Sequence, residues 1–311
     1  MSVPQNPEQT VTGREIVTQP ESWRQAAETF TSLRAPIASP GETVAVVGCG
    51  TSCFIARAFA SKREAADQGL TDAFAVSQFP TARLGHYDRV IGITRSGTTT
   101  ELLDLLNRVE SPTQAITAVA DSPVAEAADS LIPMPFADET SVVQTRFATS
   151  ALALLRASLG EDLTGAINDA TTALSIDVES FVGLEQVTFL GDGWTVGLAE
   201  EAALKCREAA QMWTESYPSM EYRHGPKAIG QSGRVVWSLD DPPADLVAEV
   251  SGTGAHHINH SELDPMARLI VAQRFAVAES CHRGLNPDAP RNLGRSVVLE
   301  ASATSQGFGV R

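Results

Sequence analysis

The chain has 311 residues, enough for a well-buried core, and its length favours two domains of about 150 residues each. It carries 38 acidic and 23 basic residues, and the net charge of −15 disfavours binding to nucleic acid or to an anionic membrane surface. The polar start and the lack of a long apolar run lead us to expect a soluble, cytoplasmic protein that is not in a membrane.

The first regular segments predict a strand, a glycine-rich turn and a helix. Residues 1–38 contain a polar arm followed by a helix that starts near Ser22. Residues 43–47 form an apolar, β-branched run, residues 48–52 read GCGTS, and a helix follows over residues 54–66. This order presents free main-chain N–H groups to an anion at the start of the helix.

A second such segment follows directly. Residues 88–93 predict a buried strand, and residues 94–100 then carry five hydroxyl side chains before an apolar helix over residues 102–109. Helix capping would account for Thr99 and Thr100, but five hydroxyl groups favour a phosphate site. Two more strands, over residues 114–119 and 130–134, complete an α/β pattern that predicts a parallel sheet with helices on both faces.

The organisation then repeats. Residues 147–159 are helical, and an alanine-rich helical connector continues to about residue 180. The strand and turn at residues 187–193 match residues 44–50 at an offset of 143, which also pairs Lys62 with Lys205. We therefore predict two copies of one α/β domain. Their boundaries are an arm over residues 1–38, a first domain over 39–165, a connector over 166–180 and a second domain over 181–311.

The second copy holds the candidate catalytic residues. A buried helix is predicted over residues 198–213, and Lys205 and Glu208 share one of its faces. A loop follows, in which His224 precedes a Gly-Pro corner. The alternative roles are a helix ion pair for Glu208 and a structural loop histidine for His224. Glu200 and Glu201 are interpreted as solvated or structural, with Glu201 in an ordinary helix pair with Lys205.

The remaining helix and strand predictions lie nearer the carboxyl end. They are a strand over residues 235–239, a weaker segment over 245–250, a helix over 264–282 and a tail from residue 286.

Three other patterns bear on possible ligands. The two G-x-G turns lack the third glycine of a dinucleotide fingerprint, because Cys53 and Val196 stand there, so nucleotide binding is disfavoured. The four cysteines form no disulfide or zinc pattern. The histidines over residues 256–260 suggest a surface loop or a contribution to sugar recognition rather than a metal site.

Six motifs together resemble the sugar isomerase (SIS) family in its tandem form. They are GCGTS at 48–52, TRSGTT at 94–99, ETSVVQTR at 139–146, ALKCRE at 203–208, EYRHGPKA at 221–228 and PRNLGRSV at 290–297. Within that family the chain resembles the isomerase half of glucosamine-6-phosphate synthase and stand-alone sugar-phosphate isomerases and deaminases. The resemblance implies two SIS domains and a small sugar phosphate as ligand.

The resemblance also implies roles for individual residues. Glu208 would be the base, Lys205 its support and His224 the ring-opening acid, supplied by the neighbouring subunit of a homodimer with a composite active site. Phosphate would be held by Ser52, Thr94, Ser96 and Thr99. The full set expected at the substrate site is Cys49, Gly50, Thr51, Ser52, Thr94, Arg95, Ser96, Gly97, Thr99, Val142, Gln144 and Arg295. No metal and no cofactor is implied.

This sequence departs from the family pattern at two arginines. Arg295 stands where the synthase has a catalytic lysine, and a guanidinium group cannot form an imine. Arg95 stands where glutamine is usual, which adds positive charge beside the phosphate site or admits a larger anion. No Met-Cys-Gly start or added amino-terminal module is present, so we expect no glutamine-dependent transfer.

The sequence therefore supports a phosphosugar isomerase or amino-sugar-phosphate deaminase that acts on a hexose or hexosamine 6-phosphate through an enediol or enediolamine. Two alternatives stay open. One is a non-catalytic sugar-phosphate sensor. The other is a deglycase of an amino-acid adduct, for which Arg95 and Arg295 would bind the carboxylate.

Overall fold

The computed structural model describes Pro4 and residues 6–299. Two amino-terminal helices, α1 (Val11–Ile16) and α2 (Gln19–Ser32), come first. Five strands and their intervening helices then form a first unit. Its elements are β1 (Val44–Gly48), α3 (Thr51–Ala65), β2 (Thr71–Ala75), β3 (Arg89–Thr94), α4 (Thr100–Leu106), β4 (Thr113–Thr117), α5 (Val124–Ala127) and β5 (Ser130–Pro133).

The first sheet is parallel throughout, with the strand order β2-β1-β3-β4-β5. Alternate side chains leave opposite faces of each strand. In β1, Val44 and Val46 join the large core that contains α3, whereas Ala45 and Val47 join a smaller core beneath α4. Both faces are therefore covered by helices, as the apolar runs predict.

Two helices, α6 (Arg146–Ser158) and α7 (Thr164–Ala173), connect this unit to a second one. The connector is interrupted after α6 and does not continue as one helix. The second unit contains β6 (Gln186–Gly191), α8 (Thr195–Ala210), β7 (Thr214–Pro218), β8 (Arg234–Ser238), α9 (Ala244–Gly252), β9 (His256–Asn259) and α10 (Pro265–His282).

The second unit repeats the arrangement of the first. Its sheet is also parallel, and its strand order β7-β6-β8-β9 reproduces the order of the first four strands of the other sheet. The turns after β1 and β6 match as well. Gly50 and Gly193 both have φ near 53°, a left-handed conformation that glycine adopts without strain. This similarity in structure agrees with the sequence offset of 143.

The two units share one core. Helices α3 and α8 pack against each other, and the largest cluster of buried apolar side chains contains residues of both sheets, such as Ile91 and Phe189. The joint surface is also polar in places, since Arg57 of α3 is paired with Glu200 of α8. Side chains of α8 are therefore held close to the carboxyl end of the first sheet.

The structure corrects three local predictions. Helix α8 ends at Ala210, because Gln211 adopts a left-handed conformation, so Trp213 lies outside the helix and is 78% exposed rather than buried. The strands β2 and β7 were not predicted. The histidine-rich stretch, expected to be a loop, forms the edge strand β9. In the part of the chain that the structure describes, no helix is long and apolar enough to cross a membrane.

Candidate active site

A cavity of about 200 Å³ lies at the carboxyl end of the first sheet, where ligands bind in folds of this kind. The second unit contributes Glu208 to it, and the carboxyl-terminal segment contributes residues 293–297. Most of the lining comes from turns of the first unit, namely Cys49, Gly50, Thr51, Ser52, Ile93, Thr94, Arg95, Ser96, Thr99, Glu101, Leu102, Val142 and Gln144.

The turn between β1 and α3 forms one wall of the cavity. Gly50 is the residue before the helix, and no side chain caps the first turn of α3. Helix α3 has 15 residues, so its start carries the partial positive charge of a helix N-terminus. The hydroxyl-bearing residues Thr51 and Ser52 are buried at this end. The wall therefore has the character expected of an anion site.

The turn between β3 and α4 forms the facing wall. Thr94 accepts a hydrogen bond from the N–H of Gly97 at 3.2 Å, and Ser96 accepts one from the Thr98 hydroxyl at 2.9 Å. Thr99 occupies the capping position of α4, but its side chain makes no capping hydrogen bond. Capping therefore does not account for the Thr99 hydroxyl, which lies in the cavity lining. Gly97, expected at the site, supports the turn but is not a lining residue.

Lys205 links the two units at the base of the site. It is only 1% exposed, and its Nζ lies 2.5 Å from Glu208 Oε2 and 3.0 Å from Thr51 Oγ1. The hydrogen bond to Thr51 joins α8 to the turn that starts α3. Lys205 itself is behind the lining, whereas Glu208 reaches the cavity with a side chain that is 20% exposed. The predicted face shared by these two residues is therefore present.

Glu201 is the buried third member of this cluster. Its carboxylate lies 3.4 Å from Lys205 Nζ, and its side chain has no exposed surface. Burial raises the pKa of Glu201 to about 7, although the Lys205 ammonium group opposes that shift. Burial alone would lower the pKa of Lys205, but Glu201 and Glu208 outweigh it, so this pKa is above its ordinary value. The predicted i,i+4 pair between Glu201 and Lys205 is present, but the interpretation of Glu201 as solvated is wrong, because its side chain is fully buried.

The two unusual arginines make internal contacts. Arg95 is 1% exposed, and it donates from Nη1 to the Ser141 carbonyl at 2.7 Å and from Nη2 to the Arg295 carbonyl. Arg295 donates from Nη2 to Asp138 at 2.6 Å and from Nε to the Glu139 carbonyl at 3.1 Å. Burial lowers the pKa of Arg95, and Glu139 opposes that effect. Both arginines are thus hydrogen-bonded within the protein, whereas an arginine that binds a substrate carboxylate would keep its terminal nitrogens free.

The remaining predicted residues divide into two groups. Val142 and Gln144 line the cavity as expected, and Gln144 Oε1 is buried with no hydrogen-bond partner among the described residues. His224 is exposed in a short 3-10 helix and does not line the cavity of this chain. A single chain therefore does not bring His224 together with Glu208.

Two parts of the cavity were missed from the sequence. Glu101 lies 3.7 Å from the Cys49 thiol, whose pKa burial and this carboxylate raise to about 12, so the thiol is protonated at neutral pH. Residues 293–297 form another wall. Glu101 could have been identified from its position in the first turn of α4, directly after the hydroxyl-rich turn. Nothing in the local sequence places residues 293–297 at the cavity.

The histidine-rich stretch has separate contacts. His257 Nε2 is 2.9 Å from Ser238 Oγ, and burial lowers its pKa. His260 instead lies 3.6 Å from Glu262, and its ring lies 5.9 Å from that of Trp237 at an interplanar angle of 57°. Among residues 6–299 no three His, Cys, Asp or Glu side chains are grouped so as to hold a metal ion.

Comparison with known protein families finds a match to the first unit. The family model described as "SIS domain" matches residues 37–159. The first unit is therefore similar to SIS domains. The matched range begins before β1 and ends after α6, so it includes both hydroxyl-rich turns and every cavity residue of the first unit. This match covers the first unit only, and the second unit is similar to the first in its strand order.

Relatives and solved structures extend the similarity beyond the SIS domain. A glutamine–fructose-6-phosphate aminotransferase (isomerizing) of Sulfolobus acidocaldarius is 27% identical over 92% of this chain and 56% of its own length. The corresponding enzyme of Symbiobacterium thermophilum is 25% identical over 83% of this chain and 52% of its own length. The chain therefore spans about half the length of these curated relatives.

Among solved structures, the glucosamine-6-phosphate deaminase of Thermotoga maritima has a TM-score of 0.75 at 24% identity, covering 93% of this chain and 100% of its own. The tagatose-6-phosphate ketose/aldose isomerase of Escherichia coli has a TM-score of 0.73 at 21% identity, covering 90% and 95%. Each similarity extends through both units, so the predicted α/β class with two helix-flanked parallel sheets is confirmed.

Proposed function

We propose that this protein is a sugar-phosphate isomerase or amino-sugar-phosphate isomerase/deaminase that acts on a hexose or hexosamine 6-phosphate. One observation carries the proposal. The Glu208 carboxylate, which accepts a hydrogen bond from the buried Lys205, lines the same cavity as Ser52, Thr94, Ser96 and Thr99. Such a cavity can bind a phosphate at one end and move a proton at the other.

The proposed reaction moves one proton between adjacent carbons. The hydroxyl groups and main-chain amides at the starts of α3 and α4 bind the phosphate. Glu208 removes the proton from one carbon of the open-chain sugar while the carbonyl oxygen takes a proton from water, which gives an enediol or enediolamine. The same carboxylic acid then returns its proton to the neighbouring carbon, while the hydroxyl or amino group on the first carbon releases a proton to water. Lys205 orients the Glu208 carboxylate and ties it to the phosphate end through Thr51. Bound metal is not required for any of these steps.

The proposal includes a homodimer. His224, as the acid that opens the sugar ring, would come from the neighbouring subunit, because within one chain it is exposed and away from the cavity. We also infer that the second unit is a SIS domain that keeps the scaffold and contributes Lys205 and Glu208. A cytoplasmic location belongs to the same proposal, since sugar phosphates are intracellular metabolites.

Two alternatives are less well supported. A sensor has no need of the buried group formed by Lys205, Glu201 and Glu208. A deglycase would need a free cation for the amino-acid carboxylate, but the terminal nitrogens of Arg95 donate to main-chain carbonyls and Arg295 is paired with Asp138.

The test is proton exchange with solvent. Purified protein is incubated in D₂O with a panel of hexose and hexosamine 6-phosphates, and deuterium at C1 and C2 is followed by NMR. We expect exchange with at least one aldose or ketose 6-phosphate and none with the unphosphorylated sugar. Saturable binding without exchange of any compound would favour the sensor, and exchange confined to an amino-acid adduct would favour the deglycase.

A further inference from the structure

A second cavity, of about 320 Å³, lies apart from the candidate active site and shares no lining residue with it. Its walls come from the amino-terminal arm, from α1, from the loop after α7 and from α10. The lining consists of residues 6–8, 13, 16–17, 174–179, 274 and 277. The volume lies in the range of cavities that bind small molecules, so there is room for a ligand.

The walls of this second cavity are largely apolar. Ile16, Val178 and Val277 are buried, and Leu174 and Ile176 are half-buried beside them. A ligand that covers these side chains removes apolar surface from water, which is favourable. The cavity therefore favours a ligand with a compact aliphatic part.

Arg274 supplies the positive charge of this cavity. It lies on α10, is half-buried, and donates from Nη1 to the carbonyl of Ala173 at 2.8 Å and to that of Ile176 at 2.6 Å. These two bonds fasten the chain at the end of α7. They leave Nε and Nη2 without a partner among the residues that the structure describes. A carboxylate is the acceptor that best matches two donor nitrogens of one guanidinium group.

Three carboxylates stand at the rim of the same cavity. Glu8, Asp177 and Glu179 are all exposed lining residues. Burial lowers the pKa of Arg274, and these three carboxylates oppose that shift, so they lie close enough to act on its charge. In the described part of the chain, none of them accepts a hydrogen bond from Arg274. Opposite charges therefore face one cavity across a gap.

This arrangement disfavours two simple classes of ligand. A plain anion, such as a sugar phosphate, would meet three carboxylates for one guanidinium group. A plain amine would leave the donors of Arg274 without an acceptor. A small molecule with a carboxylate, an ammonium group and an aliphatic part satisfies both kinds of charge and the apolar walls.

We propose that this second cavity is a binding site for a free aliphatic amino acid. The carboxylate of the amino acid accepts hydrogen bonds from Nε and Nη2 of Arg274, and its ammonium group lies among the carboxylates of the rim. Its side chain packs against Ile16 and Val277. The inference does not depend on the proposed function, because the two cavities share no residue.

The primary measurement is titration calorimetry of the full-length protein. The probes are L-leucine, L-isoleucine and L-valine, each with its amide and its N-acetyl derivative. We expect saturable binding of at least one of the three amino acids. Its amide loses the charge-assisted hydrogen bonds to Arg274 and should bind at least about tenfold more weakly. Its N-acetyl derivative loses the ammonium group and should also bind more weakly. Failure of all three amino acids to saturate the protein, or equal binding of either derivative, would overturn the proposal.

Two variants and a matched control test the assigned contacts. Arg274→Met removes the guanidinium group, so the Kd for the amino acid should rise about ten- to hundredfold. The control is Arg283→Met, which should leave the Kd unchanged. Arg283 follows α10 directly and also donates to a main-chain carbonyl, that of Leu184 at 3.3 Å, but it does not line the cavity.

The second variant, Glu8→Gln with Glu179→Gln, removes two charges of the rim. It should raise the Kd for the amino acid about fivefold, since both carboxylates are exposed. Exposed positions tolerate this change, so the variant also serves if Arg274→Met fails to fold. An unchanged Kd in either variant would contradict the proposed contacts.

Hydrogen exchange locates the bound amino acid. Amide exchange is followed by mass spectrometry in the full-length protein, and a saturating amino acid should slow it in residues 11–16 and 174–179. Inorganic phosphate, which the proposed function places in the active-site cavity, should not displace the amino acid. Slowing confined to the turns of the active-site cavity, or displacement by phosphate, would overturn the proposal.

Discussion

Glu201 shows how burial changes the chemistry of an ordinary helix pair. At i−4 from Lys205 it has the spacing of a surface ion pair, which contributes little on an exposed face. In the structure the carboxyl group is fully buried beside Lys205, and Glu208 lies on the other side of the same ammonium group. Burial raises the pKa of Glu201 even though the Lys205 ammonium group lies beside it.

The raised pKa of Glu201 predicts a dependence of stability on pH. Between pH 4.5 and about 7 the unfolded chain loses this proton while the folded chain keeps it, so the free energy of unfolding falls as pH rises. Glu201→Gln lacks this titration. Urea unfolding of both proteins should show the wild-type value dropping relative to the variant by about 2–3 kcal/mol across that range and not further above it. A constant difference between the two proteins would show that Glu201 titrates normally.

The twin helices α3 and α8 place a lysine at the same position in different surroundings. Lys205 is buried between two carboxylates. Lys62 pairs with Glu161 at 2.9 Å and lies 4.3 Å above the Trp194 ring, near the surface. No counterpart of Glu208 follows Lys62, because Ala65 stands there. Both units therefore share the same fold, but only the second unit contains the candidate base.

These twins provide a matched pair of variants. Lys205→Met leaves two carboxylates in a buried site without their cation, and we expect a loss of about 3–5 kcal/mol in the free energy of unfolding at pH 7. Lys62→Met removes a partly exposed pair and a cation–π contact, for a loss of about 1 kcal/mol. Chemical denaturation measures both, and equal losses would show that burial of the cluster around Lys205 has no energetic consequence.

All of the central strands could be predicted from the sequence. Strands β1, β3, β4, β6 and β8 read as apolar runs because both of their faces are covered. The three missed strands, β2, β7 and β9, are edge strands with polar residues, such as the Thr-Glu-Ser sequence that begins β7, whereas the fourth edge strand, β5, was predicted. Edge strands bury fewer side chains, so composition and periodicity carry little information about them.

The candidate site, too, could be predicted only in part from the sequence. The two hydroxyl-rich turns could be placed because each follows a recognisable strand in a parallel sheet. The burial of Glu201 and the packing of residues 293–297 against Arg95 depend on contacts between segments far apart in sequence. The local sequence carries no information about such contacts, which is why it predicts a free cation at Arg95 and a core residue at Trp213.

At the scale of the whole molecule, one chain contains an incomplete version of the proposed site. Glu208 is in the cavity, whereas His224 lies exposed on the outside. Symmetric association of two chains would let each supply a histidine to the other. The exposed Trp213, close in sequence to this part of the second unit, is available for such a contact.

Mixing two inactive variants tests this arrangement. In a dimer of one Glu208→Gln subunit and one His224→Asn subunit, one of the two composite sites has both intact residues. Random reassociation of equal amounts should therefore restore about a quarter of the wild-type rate, because half of the dimers are mixed. The measurement is isomerisation rate after joint unfolding and refolding. A mixture no more active than its parents would show that His224 does not act across a subunit interface.

The central claim is that Glu208 moves the proton while the first unit holds the phosphate. It is tested most directly by solvent exchange at C1 and C2 in D₂O, measured for wild type and Glu208→Gln with the sugar 6-phosphate that the panel identifies. We expect the variant to lose exchange while its Kd for that compound stays within about tenfold of wild type, because the amide keeps the shape but cannot accept the proton. Exchange at the wild-type rate in Glu208→Gln would contradict the assignment of the base.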